Sequence, residues 1–362
     1  MKGKQLFGIR RLKLFGALLA LTAQLGSAEW INANRYAEAY EQYLEAPSPI
    51  PNDGIKHFIF INRDELRGHP LLENPRIAGA QLLYTWRFLE KSPGNYDFAA
   101  IHDDLNYLRA SGKKLFIQLQ TATFDPKWQA VPNYLKADEF DGGQFLKRNE
   151  RGVETGWMAK RWSPKVRARF ALLLEALGRE FDGKIEGINL EETAAEGLSR
   201  ETDPTFTPEG YVEGVKANMY ALKQAFPNSV TMQYANFMPG EWLPWEDQGY
   251  LRSIYQYGNE IGVGLGAPDL LVRRRAHQNH ALALMHENSF SVPLGIAVQR
   301  GNYVGMTGAD VDPGQIIPKA GPKQASDVPM LHAFAKDFLK VQYIFWQNEE
   351  PYLTRDVLTH LR

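Results

Sequence analysis

The stretch GINLEETAAEG, residues 187–197, decides how this chain is read, because a short apolar strand runs directly into two adjacent carboxylates. Ionised carboxylates lose hydration when buried, so two of them at a strand tip imply a polar, partly wet cup and not a packed core. Alternation puts Ile188 and Leu190 on one side of the strand and Gly187, Asn189 and Glu191 on the other. In a barrel the first set packs beneath helices and the second points inward. The plainer account makes Glu191 and Glu192 charges at the N-terminus of a following helix, and the surrounding strands bear on that choice.

The same rhythm recurs on both sides. Upstream, IKHFIFIN at 55–62, IAGAQLLYTW at 77–86 and KLFIQLQ at 114–120 read as strands. Downstream, so do SVTMQYANF at 229–237, EIGVGLGAPDL at 260–270, VPLGIAVQ at 292–299 and VQYIFWQN at 341–348. Helical periodicity fills the gaps near 98–110, 163–181, 208–226, 247–257, 272–287 and 327–340. With IEGINLEE at 185–192 this makes eight strands separated mostly by helices, an α/β pattern that favours a single closed (β/α)8 TIM barrel over an open doubly wound sheet. The first strand is followed by INRDELRGH, which lacks the Gly-rich phosphate turn of a nucleotide-binding sheet. Gly262, Gly264 and Gly266 read as small inward residues of the sixth strand. No linker or composition break divides 55–362, so one barrel domain is expected there, after a helical lead-in at 29–54 that ends in the turn APSPIPNDG.

The chain opens MKGKQLFGIRRLKLFGALLALTAQLGSAEW: a basic stretch through Lys13, an apolar run from Leu14 to Leu21, then small residues. This is the pattern of a secretory signal peptide over 1–28, cut after Ala28. The apolar run falls short of the ~20 residues of a membrane span. A periplasmic or secreted protein, free of the membrane after cleavage, is therefore expected. The absence of cysteine excludes disulfides and thiolate metal sites. The eight histidines show no HExxH-type spacing, and His277 and His280 on one helix read as packing or solvent-facing, so neither a metal nor another cofactor is expected. A formal net charge of −1 with scattered positive charges argues against a nucleic-acid partner.

Barrel chemistry belongs at the carboxyl ends of the strands. Here those ends are polar all round: Asn62 on the first, Tyr84, Trp86 and Arg87 on the second, Gln118 and Gln120 on the third, and Asn189, Glu191 and Glu192 on the fourth. Gln233 and Asn236 follow on the fifth, Asp269 on the sixth, Gln299 on the seventh, and Trp346, Gln347, Asn348, Glu349 and Glu350 on the eighth. Amides both donate and accept, and indole faces stack, so such a ring matches the hydroxyls and apolar faces of a sugar. Long loops at 121–163, carrying Phe124, Trp128, Tyr134, Phe140, Trp157 and Trp162, and at 301–326 are placed to shape the cleft. A carbohydrate ligand is the expectation.

The run YTWRFLEKSPGNYDFAAIHDDLNYLRASGKKLFIQLQ, residues 84–120, resembles the second-to-third-strand segment of the large barrel clan of retaining glycoside hydrolases, with its β-galactosidase-like and cellulase-like members. Trp86, Glu90, Gly94, Tyr96 and Phe98 match the clan's pattern. The resemblance implies an acid/base glutamate at the fourth strand tip, where Glu191 and Glu192 stand, and a nucleophile glutamate at the seventh, where Gln299 stands instead. The clan's Asn-Glu pair is also broken, since Leu190 separates Asn189 from Glu191. An amide cannot attack as a carboxylate does.

Two functions follow as expectations: a glycosidase acting by carboxylate acid/base chemistry, or a catalytically silent glycan-binding barrel. For the glycosidase the acid is Glu191, preferred by parity, or Glu192, if a bulge at the tip exchanges them. The second carboxylate is Asp269 or a strand-eight glutamate, Glu349 or Glu350, unless Asp269 merely caps the next helix. Carboxylates two strands apart, at ~4.8 Å per strand, leave room for water and imply inversion.

Overall fold

The computed structural model describes residues 36–241, 246–272, 281–304 and 327–362. The signal peptide over 1–28, the first part of the helix expected at 272–287 with His277 and His280, and most of the 301–326 loop lie outside the described residues.

The strands in chain order are β1 (Lys56–Ile61), β2 (Ile77–Thr85), β3 (Glu90–Ser92), β4 (Asn95–Tyr96), β5 (Lys114–Gln120), β6 (Gln144–Arg148), β7 (Glu154–Ala159), β8 (Gly187–Leu190), β9 (Val230–Tyr234), β10 (Gly264–Ala267), β11 (Leu294–Val298) and β12 (Tyr343–Gln347). Eight of them close a barrel in the order β1-β12-β11-β10-β9-β8-β5-β2, every neighbouring pair parallel. The expected (β/α)8 TIM barrel is thus the fold. Helices Ala99–Ala110, Pro164–Phe181, Pro208–Ala225 and Tyr250–Ile261 supply crossovers. β3–β4 and β6–β7 are antiparallel hairpins outside the barrel.

Alternation sorts the core into two layers. Phe58, Phe116, Met232, Tyr234, Tyr343 and Phe345 fill the barrel interior as one cluster. Ile188 and Leu190 belong to the larger cluster between strands and helices, as the parity of β8 requires. Asn189, on the inward face, accepts from Gln81 Nε2 at 2.9 Å, and the same amide nitrogen donates to Tyr234 Oη at 3.1 Å. The aromatic filling dictates small residues beside it: a Cβ at Gly187 would stand 2.7 Å from the Phe116 ring, and one at Gly266 2.7 Å from the Tyr234 ring. Gly262 departs from the expectation. It follows the helix Tyr250–Ile261 with φ +79°, a left-handed helix stop and not a strand residue.

The residues that carry the clan resemblance serve this architecture. β2 stops at Thr85, whose hydroxyl accepts from Phe88 N and starts a helical turn at Trp86. Trp86 is thereby directed under the helix Pro164–Phe181, 5.1 Å from the Phe170 ring, with Nε1 donating to Glu90 Oε2 at 2.7 Å. Glu90 is fully buried and also accepts from Gly94 N and Arg169 Nη2. Tyr96 stacks on Phe98.

The lead-in also departs from expectation: its described part, from Tyr36, is turns and a short 3-10 helix, Glu41–Tyr43, and not a continuous helix. Separate anchors explain this, with Tyr36 against His286 and Phe338 and Tyr43 against Phe334.

At the amino end of the barrel Glu186 accepts from Lys56 Nζ at 2.5 Å, Lys114 Nζ at 2.6 Å and Tyr343 Oη at 2.8 Å, tying β1, β5 and β12 together. Burial pushes the Glu186 carboxyl up, but the Lys114, Lys56 and Tyr343 donors outweigh it and hold it below its ordinary value. A lowered folded value means that this stabilisation is present above the unfolded pKa and is lost as pH falls through the folded one. Both lysines are half exposed, which screens the charges. Glu186→Gln is expected to cost roughly 1–3 kcal/mol near neutral pH, and to flatten the acid side of the stability–pH curve followed by urea unfolding.

Candidate active site

Glu191 and Glu192 leave β8 into different company, because the strand ends at Leu190 and alternation no longer governs them. Glu191 is buried, in close contact with Thr121 Oγ1 and with Arg161 Nη2. Arg161 uses its other terminal nitrogen on Glu192 O at 2.8 Å and Tyr211 Oη at 3.0 Å, and Tyr211 Oη donates to Thr193 O at 2.8 Å. Gln233 Nε2 donates to Glu191 O at 2.7 Å. Glu191 is therefore a buried ion-pair residue that fixes the strand tip. The parity argument for Glu191 as the reacting acid is corrected on this ground.

Glu192 lies two residues past the end of β8, part of its surface still open. Its Oε2 accepts from Asn236 Nδ2 at 2.5 Å. Burial pushes its carboxyl up, the positive charge of Lys147 opposes this, the negative charge of Asp269 adds to the rise, and Asn236 and Arg161 oppose it; the balance is upward. Asp269 Oδ1 accepts from Asn302 Nδ2 at 3.1 Å. The Asn302 side-chain oxygen accepts from Leu270 N and Gln299 N, so this buried amide joins the tips of β10 and β11. Gln299 Nε2 donates to Pro268 O at 2.9 Å.

The structure thus brings Glu192, Asn236, Asp269 and Gln299 to neighbouring strand tips. Gln118 and Gln120 follow Phe116 on the inward side of β5. Several expected ring members are elsewhere. Tyr84, Trp86 and Trp346 belong to the outer cluster and are corrected as sugar platforms: Tyr84 Oη donates to Asp104 Oδ2 at 2.7 Å and Trp346 Nε1 to His57 Nδ1 at 3.1 Å, both beneath helices. The parity of β12 explains Trp346, since Tyr343 and Phe345 take the inward positions. Asn62 is exposed on Glu65, and Arg87 braces the insert through Val131 O and Asn133. Gln233 holds backbone carbonyls. Glu349 pairs with Arg300 at 3.1 Å, and Glu350 accepts from the Thr354 hydroxyl and amide as a local cap. Neither strand-eight glutamate is linked to the Glu192 side chain by a described contact.

Sequence reasoning missed Arg161, Lys147 and Asn302. The first two come from the 121–163 insert, which folds as the β6–β7 hairpin and docks by Thr123 N to Trp157 O at 2.7 Å and Ala159 N to Thr121 O at 2.8 Å. The length of that insert was the available signal. Within it Trp157 and Trp162 spend their indole N–H groups on Pro126 O and Thr205, whereas Phe124 and Trp128 remain exposed. Among the described residues no group of three or more His, Asp or Glu side chains converges as a metal shell, and no helix is long and apolar enough to cross a membrane.

No family model and no curated protein sequence matches the chain. Among solved structures it is similar to the catalytic domain of a β-amylase from Paenibacillus polymyxa, with TM-score 0.54 and 8% identity over 81% of this chain and 92% of that one. Weaker similarity, TM-score 0.40, links it to a β-galactosidase from Rahnella sp. R3 at 12% identity over 62% of this chain. The same TM-score, 0.40, is found with a β-galactosidase from Bacillus circulans at 10% identity over 60% of this chain. The match spans only 40% of each galactosidase chain. At such identities the likeness is one of fold: the chain is built on the closed barrel seen in the β-amylase.

Proposed function

We propose that the protein is a glycoside hydrolase of an oligo- or polysaccharide met outside the cytoplasm, with Glu192 as general acid and Asp269 as general base. The observation that carries this is the Glu192 carboxyl, sunk in the mouth of the barrel, held by Asn236 and raised against ionisation by burial with Asp269 in its field. A carboxyl whose pKa is raised holds its proton to higher pH and can deliver it to a leaving glycosidic oxygen. β9 stands between β8 and β10, and two strand spacings of ~4.8 Å support room for a bound water between the two acids. The signal-peptide pattern at 1–28 supports the extracytoplasmic setting, and the barrel it shares with the β-amylase is compatible with the chemistry. A second reading, a silent glycan-binding barrel, is favoured by Gln299 at the tip of β11 and by the engagement of Glu191 in an ion pair. Reducing-end release from a polysaccharide panel separates the two: release supports hydrolysis, and glycan binding without release supports the silent barrel.

The pH dependence has a defined sign. An acid must be protonated to act, so kcat/KM falls as pH rises through the raised Glu192 value. Lys147 opposes that rise. Lys147→Met is therefore expected to move the descending limb to higher pH, whereas Asp269→Asn is expected to lower the Glu192 titration followed by carboxyl carbon NMR. Opposite or absent movements contradict the assignment.

A further inference from the structure

Among the described residues the other buried cations have partners: Lys160 pairs with Asp203 at 2.7 Å, Arg161 with Glu191, and Lys113 Nζ donates to the Asn74 and Ile77 carbonyls. Lys147 does not follow the pattern. It is 5% exposed, yet its ammonium donates a hydrogen bond to no described residue, and no described carboxylate oxygen lies within 4.0 Å of it. What surrounds it is the Phe124 ring, 4.0 Å from Nζ to the centroid, and the more distant charges of Glu192, Arg161, Glu196 and Glu191. Its Nζ is not sealed from water, so the ammonium keeps an open side that no described carboxylate closes. The structure fixes it there. Gly156 packs so tightly on Thr123 that a Cβ would stand 2.0 Å from its carbonyl oxygen, and Gly197 packs likewise on Arg148 O at 2.4 Å. Thr155 Oγ1 also donates to Glu196 at 2.8 Å. If Lys147 served only to balance Glu192, contact as close as that of Asn236 would be expected, and it is absent.

On the same insert Trp128, 63% exposed, carries the Lys127 ammonium 5.4 Å from its ring, with Lys127 itself paired to Asp125 at 2.6 Å. The Phe124 face beside the unpaired Lys147 ammonium sets an apolar surface next to a positive charge, which is the complement of a sugar bearing an anionic group. We infer that the cleft takes an acidic glycan, and that Lys147 recognises the anionic substituent, a uronic-acid carboxylate or a sulfate ester, on a sugar next to the bond attacked at Glu192. Lys147 is thus the specificity-determining residue of the site, and this rests on the glycoside reading above.

The test is binding of the full-length mature Glu192→Gln protein to an array of neutral glycans, their uronic-acid counterparts and sulfated glycans. Acidic glycans are expected to be retained over neutral counterparts, with affinity falling as salt rises. Lys147→Met in the same background is expected to weaken that binding at least tenfold and Lys147→Arg to restore most of it, with thermal midpoints confirming that both variants fold. Preference for uronate or for sulfate spots identifies the group, and either supports the inference. Equal binding of neutral counterparts, or unchanged affinity in Lys147→Met, overturns it while leaving a carbohydrate ligand in place. No retention of any glycan overturns the carbohydrate reading itself.

Discussion

Replacing Glu192 by Gln is expected to lower kcat on a natural glycan by about 10²–10⁴-fold, the usual contribution of a positioned general acid. The amide preserves shape and can still accept from Asn236 Nδ2, so the cup stays assembled. It cannot deliver a proton. Two accompanying results separate loss of chemistry from loss of structure. A glycosyl fluoride, whose leaving group needs little protonation, should lose far less rate than the glycan. Stability should not fall: the folded Glu192 carboxyl is raised by burial, and a raised folded value means stability is present below the unfolded pKa and lost as pH rises through the folded one. Gln removes that loss, so above this range the variant should unfold at equal or higher urea than the parent. Equal loss on both substrates would argue that Glu192 only holds the cup.

The second large effect is on stability. Arg161→Met leaves Glu191 buried without its counter-ion, and removes the donors to Glu192 O and Tyr211 Oη. Breaking a buried pair from one side costs about 3–5 kcal/mol. The double variant Arg161→Met with Glu191→Leu removes both charges and is expected to recover most of that loss, since the two sites are directly coupled. Urea unfolding of the four proteins gives the coupling. A single-variant loss below about 1 kcal/mol would show that the pair is not the structural clamp of the β8 tip.

How much of this was legible in the sequence depends on whether period or tertiary pairing governs each residue. The barrel was legible because strand and helix periods alternate along the chain, and the inward set Gly187 and Asn189 follows from the same two-residue period. The wrong assignments share one cause, an alternation carried past the point where the strand stops or onto the wrong face. Trp86 lies one residue beyond β2 and turns outward with its helical turn, while Tyr84 and Trp346 occupy the helix-facing parity of β2 and β12. Glu191 was preferred over Glu192 for the same reason. Lys147 and Arg161 had no local signal, because the 121–163 insert meets the segment after β8 only in three dimensions, through Arg161 on Glu191 and Glu192 O and Thr155 on Glu196. Asn302 likewise works only by joining the tips of β10 and β11. A W-x-x-x-E spacing was visible, but the Glu90 hub it builds with Trp86, Gly94 and Arg169 holds the fold and does not enter the cup.

In the proposed chemistry Glu192 and Asp269 act as acid and base across a water, and the Gln299 amide cannot serve as nucleophile. The most direct measurement is proton NMR of the anomeric signal during the first turnovers on a glycan that the protein cleaves, before mutarotation erases it. The new reducing end is expected to appear with the anomeric configuration opposite to that of the bond cut, and Asp269→Asn is expected to abolish its appearance. Net retention of configuration would contradict this chemistry.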